Sequence, residues 1–160
     1  MNVRCDGEGF LVLEGLHPFQ VDTLRMVPEL LEADPALRHL RTFEGEDDEE
    51  QWQRLAVPEL EHLFLGQAQI VRADLEQLPS SASGSLRIPE KHRPAWLAAL
   101  NGASHSLYHA HDLRPDELRD GFEEISDPTR RLVVIRVQLL GYLVALMLEA
   151  EGYGFPDSTT

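Results

Sequence analysis

The first apolar-alternating stretch is Val3 to Cys5, followed after Asp6-Gly7-Glu8-Gly9 by Phe10 to Leu13. Two short extended runs around a Gly-containing loop predict a β-hairpin. The period then becomes helical. After His17-Pro18, the residues Phe19, Met26, Leu30 and Leu31 recur at helix spacing within Phe19 to Glu32. Pro28, which lacks the N–H of the helical ladder, is expected to kink that helix or split it. Asp34-Pro35 opens a short helical turn through Leu40, and Trp52 and Leu55 belong to a further helix.

From Pro58 to Leu78 the spacing places Leu60, Leu63, Phe64, Val71, Leu75 and Leu78 on one face, with Glu59, His62, Gln69 and Glu76 away from it. A connector, Pro79 to Ser85, precedes a short extended piece at Leu86 to Ile88. Pro89 or Pro94 then opens a helix to about Asp112, whose inner face carries Leu97, Leu100, Leu107 and His111. Pro115 starts a short helix ending near Ile125. Asp127 as N-cap and Pro128 at the first helical position launch the most apolar helix, Thr129 to Glu151, which ends at Gly152. The pattern predicts a mainly α fold: a helical bundle around the central C-terminal apolar helix, with a small N-terminal β-hairpin. Residues 1–155 form one domain, and 156–160 are expected to be a disordered tail.

Composition narrows the class. The 160 residues are 42% hydrophobic and 26% charged, enough for a core without metals or disulfides. There are 28 acidic against 14 basic side chains, a net charge of −14. Such a charge repels phosphate backbones, so nucleic acid is not expected and a basic protein partner is. The acidity is polarised, because Glu44 to Glu50 holds Glu44, Glu46, Asp47, Asp48, Glu49 and Glu50 around one glycine. This run is the expected interaction surface.

The N-terminus carries Asp6 and Glu8 and lacks a basic stretch followed by an apolar one, so it reads as neither signal nor transit peptide. Cys5 has no partner cysteine in the chain, in keeping with a reducing, cytoplasmic location, and is expected to be a small buried hydrophobe. Leu132 to Leu148 is long and apolar, but Arg136 and Gln138 interrupt it, so a buried helix is expected rather than a membrane span. A nearly all-apolar helix also suits a subunit interface, which leaves a homodimer open.

Candidate chemistry is concentrated in Asn101 to Asp112. At about 100° per residue, His109 sits about 40° from His105 and Asp112 about 20° to its other side. Two imidazoles one turn apart beside a carboxylate suit a divalent transition metal, because histidine supplies neutral nitrogens and the carboxylate offsets the cation. The plainer reading is a solvated polar face, since His105 and His109 lie opposite Leu107. His111 is expected to be a core histidine. Arg136 lies on the stripe of Leu132, Leu140 and Leu143 and needs a carboxylate or carbonyls. A buried ion pair is the first reading for it, an anion site the second. Nucleophile-elbow, Walker and dinucleotide-binding glycine patterns are absent.

The segment Ser85-Leu-Arg-Ile-Pro-Glu-Lys-His-Arg-Pro-Ala-Trp-Leu-Ala-Ala-Leu-Asn101 resembles an uncharacterised bacterial family of helical proteins. That family is catalogued as a domain of unknown function and often encoded beside the Clp protease adaptor. It has an extended Leu-x-Ile/Leu piece and then Trp-Leu-x-x-Leu-Asn, matched by Trp96 to Asn101, and Leu-Gly-aromatic-Leu, matched by Leu140 to Leu143. The chain departs from it at Gly102 and the His-rich stretch, and at Val144-Ala145, where the family has a Gln-Glu pair. The resemblance implies a fold and no established activity. Two functions follow. One is a non-catalytic helical interaction or regulatory module without a cofactor; the other is a metal-binding protein or metal-dependent enzyme using His105, His109 and Asp112.

Overall fold

The computed structural model describes residues 1–33, 50–78, 84–119 and 122–152. The expected Asp34–Leu40 turn, most of the acidic run and the 156–160 tail lie outside them. The hairpin forms from β1 (Asn2–Cys5) and β2 (Phe10–Glu14). Its turn is held by the Asp6 carboxylate, whose Oδ1 accepts from the N–H groups of Glu8 and Phe10, each at 2.9 Å. Gly9 at φ +85° supplies the left-handed residue that the turn requires.

The short extended piece predicted at Leu86 becomes β3 (Leu86–Pro89), which pairs antiparallel with β2 to make a three-stranded sheet in the order β1-β2-β3. Register decides the faces: Leu11 opposite Ile88 and Leu13 opposite Leu86 are all buried. Arg87 turns outward, where its Nη2 bonds Asp6 at 2.7 Å and Glu8 at 2.8 Å and its guanidinium lies over the Phe10 ring.

Among the described residues there are five α-helices. Helix α1 (Pro18–Ala33) starts at His17, whose Nδ1 accepts from the Phe19 N–H and whose own N–H donates to Gln20 Oε1. The helix runs through Pro28 instead of splitting there, because Leu24, Val27, Pro28 and Leu31 are all buried and their packing outweighs one missing ladder bond. A π-helical turn, Trp52–Ala56, leads into α2 (Val57–Leu75). The inner face of α2 is Val57, Ala68, Val71, Asp74 and Leu75, and Leu63, expected on it, is 54% exposed. At about 100° per residue Leu63 lies about 80° round the helix from Val71, at the edge of the inner face rather than on it.

Helix α3 (Arg93–Ala110) packs against α1, α2 and α5. Gly102 makes that approach possible: a Cβ built there would stand 2.7 Å from Leu31 Cδ2 and 3.0 Å from Phe64 Cε1. Helix α4 is brief (Pro115–Arg119), and a 3-10 turn at Phe122–Glu124 follows. The expected cap opens α5 (Pro128–Ala150), with Asp127 accepting from the Thr129 N–H at 3.0 Å. Helix α5 buries the stripe Val133, Val134, Val137, Leu140, Leu143 and Met147, and leaves Leu132 and Tyr142 exposed.

Besides Leu63, Cys5 and His111, both expected within the core, lie outside it. Cys5 is exposed at the end of an edge strand, with its thiol directed at the Ala150 carbonyl oxygen, 3.3 Å away. His111 is exposed because α3 ends at Ala110, one residue before it.

Candidate functional site

The polar cluster deepest in the fold joins α2 to the start of α3. Asp74, 4% exposed, holds two donors on its carboxylate. Trp96 Nε1 donates to Oδ2 at 2.8 Å, and His92 Nδ1 stands 3.0 Å from each oxygen. A carboxylate acceptor favours the tautomer with the proton on Nδ1. The pair could orient an imidazole for proton transfer, but among the described residues no serine, threonine or cysteine is bonded to His92, so a nucleophile is not assembled. The cluster clamps a buried indole and the 3-10 turn Glu90–His92, which precedes α3, to α2. Asp74 was discernible in the sequence as a carboxylate inside the stripe of Val71, Leu75 and Leu78.

A second clamp closes the far end of α3. Glu117 is buried to 9% exposure and takes two bonds from Arg130, through Nε and through Nη2, the latter at 2.7 Å, and one from the Arg114 N–H at 2.7 Å. These donors, Arg130 first, pull the Glu117 carboxyl down to about 2. The same guanidinium donates to the carbonyls of His111 and Asp112 at 3.0 and 2.9 Å, tying the C-terminus of α3 to the N-terminus of α5. Arg114, Glu117, Ser126, Asp127 and Arg130 border a polar hollow of about 320 Å³ there.

The three expected metal ligands each have a definite place. His105 and His109 are exposed on α3, their rings stacked with centroids 6.4 Å apart. Asp112 lies beyond the helix in the left-handed region, φ 45°. Its N–H bonds the His109 carbonyl and the Leu113 N–H bonds the Tyr108 carbonyl, a Schellman cap in which Asp112 fills the position usually given to glycine. The 100° rule therefore stops short of Asp112. Among the described residues no three His, Cys, Asp or Glu side chains are grouped to hold a metal ion.

Arg136 donates from Nη2 to Asp22 at 2.6 Å and leans toward the Phe19 ring. The pair is half-sunk rather than buried, with Arg136 17% and Asp22 63% exposed, because the carboxylate sits on the outer side of α1. Of the acidic run, Glu44, Glu46, Asp47, Asp48 and Glu49 lie outside the described residues, and Glu50 is exposed.

Among the described residues, several large apolar side chains are exposed at the start of α2. Leu55, Leu63 and Leu65 are 61%, 54% and 45% exposed. Beside them Trp52, Ala56, Pro58, Leu60 and Leu63, with Glu59 and His62, border an apolar hollow of about 870 Å³. An open apolar hollow with an exposed leucine at its border marks a contact surface more often than an ordinary one, while Leu65, two residues on from Leu63, faces the other side of the helix.

A family model matches residues 9–151, from the hairpin turn to the end of α5. The chain belongs to the DUF2017 family, a domain of unknown function. No curated protein and no solved structure matches it. In this DUF2017 chain the segment Trp96 to Asn101 has a structural explanation: Trp96 and Leu100 are almost wholly buried, and the Trp96 indole closes the Asp74 clamp. The DUF2017 match covers the exposed α2 leucines as well as both clamps.

Proposed function

We propose that this protein is a non-catalytic docking module whose contact surface is the apolar start of α2 with its acidic surroundings. One observation carries the reading: Leu55 and Leu63 stand open at the start of α2, where Trp52, Leu60 and Leu63 border an apolar hollow, while both deep polar clusters are consumed by structural bonds. The occupant that fits is a basic amphipathic helical segment of another protein. Its apolar side would cover the hollow and Leu63, and its cations would face Glu50 and Glu59. Charge of this kind speeds encounter and weakens with salt. The resemblance to a bacterial family encoded beside the Clp protease adaptor, and a cytoplasmic setting for the free Cys5, agree with a module that meets other proteins.

The test is anisotropy of a labelled Lys/Leu helical peptide, with a Glu/Leu peptide of the same pattern as control. The Lys/Leu peptide binds, more weakly as salt rises, and loses binding to the Leu55→Ser/Leu63→Ser protein. Equal binding of both peptides, or binding indifferent to the two serines, contradicts the reading.

A further inference from the structure

The outer flank of α5 carries a second apolar surface that the docking reading leaves unused. Leu132, Ile135, Leu139, Tyr142 and Leu146 follow one another at alternating steps of three and four, the spacing of a coiled-coil seam. They run along roughly 21 Å of helix. Leu132 is 39% and Tyr142 56% exposed, and the other three are half-buried at the edge of the core stripe.

Charge selects the occupant. The chain carries −14, so two copies repel over most of their surfaces. Helix α5 is the exception: from Pro128 to Leu148 it contains no carboxylate and three arginines. Its two ends carry opposite charges on the outer side. Arg131, whose guanidinium is anchored by Nε and Nη2 on the Ile125 carbonyl oxygen, stands at one end, and exposed Glu149 at the other. Residues 131 and 149 are disposed almost symmetrically about Leu139, as are 132 and 146, and 135 and 142.

We infer that this seam joins two copies of the chain antiparallel about a two-fold axis level with Leu139. Leu139 then meets its own equivalent, Leu132 meets Leu146, Ile135 meets Tyr142, and Arg131 of each copy faces Glu149 of the other. A parallel pair would set arginine on arginine and glutamate on glutamate. The antiparallel pair converts both repulsions into attractions.

Sedimentation equilibrium of the full chain tests the inference. The protein sediments at twice its 18.1 kDa chain mass. Tyr142→Glu, at an exposed site, gives a monomer with an unchanged circular dichroism spectrum. Glu149→Arg and Arg131→Glu each weaken the dimer by about tenfold, and the double exchange restores it, as paired charges across an interface do. A monomer at high micromolar concentration overturns the inference. So does a dimer indifferent to Tyr142→Glu, a double exchange without rescue, or a monomer that floats with vesicles of anionic lipid, which would assign the flank to a membrane surface.

Discussion

Where α2 meets α3, Asp74 is almost without solvent, and its carboxylate lies within hydrogen-bonding distance of the Trp96 and His92 ring nitrogens. Eleven residues earlier on the same helix, Leu63 is more than half exposed and Trp52 borders an open apolar hollow. One helix thus buries a charge at one end and exposes hydrocarbon at the other. The buried carboxylate is tolerable because its bonds replace water; the exposed leucines gain nothing from the fold that carries them. Polar groups inside with every bond spent are architecture, and apolar groups left outside are what a partner can use. The same division holds at α5, whose N-terminus is locked by Glu117 and Arg130 while its outer flank stays bare.

The comparison can be broken at its buried side first. Asp74→Ala strands the Trp96 N–H without an acceptor and is expected to cost about 2–3 kcal/mol in urea unfolding. Asp74→Asn, which keeps an acceptor, costs less. A loss below the scatter of surface substitutions would show that the clamp does not hold α2 to α3.

Gly102→Ala comes next. Leu31 and Phe64 leave no space for a methyl group, so overpacking of about 1–2 kcal/mol should exceed the gain in helix propensity. A stabilised variant would mean that α3 does not approach α1 and α2 so closely.

The Glu117 clamp has an effect with a pH signature. Its carboxyl is held near 2 in the fold, against roughly 4.3 in an unfolded chain. Its contribution is therefore complete above the unfolded value and is lost as pH falls toward the folded one. The stability gap between the parent chain and Glu117→Gln should narrow between about pH 5 and pH 2. A gap constant over that window would show that Arg130 does not depress the carboxyl.

Much of this division is visible in the residues themselves. The hairpin is signalled by Asp6-Gly7-Glu8-Gly9, and the start of α5 by Asp127-Pro128, because turn and cap chemistry are local. The pairing of β3 with β2 is not, since it depends on contacts more than seventy residues apart. The positions of His111 and Asp112 are hidden for a related reason. A Schellman cap filled by aspartate carries no glycine to announce it, so helical periodicity was carried past the point where the helix stops. Leu63 fits the apolar spacing only loosely: it lies about 80° round the helix from Val71, at the edge of the stripe, where which side is covered depends on the packing of other elements. The partner of Arg130 was hidden as well, because Glu117 belongs to a five-residue helix whose burial only the docking of α5 creates.

The central claim, that the start of α2 is kept apolar for a partner and not for the fold, is tested most directly on one variant. Unfolding free energy and Lys/Leu peptide affinity are measured together on Leu55→Ser/Leu63→Ser. The account predicts stability within about 0.5 kcal/mol of the parent chain, as for surface substitutions, with peptide binding lost. A variant that is markedly destabilised, or that binds the peptide as the parent does, would contradict it.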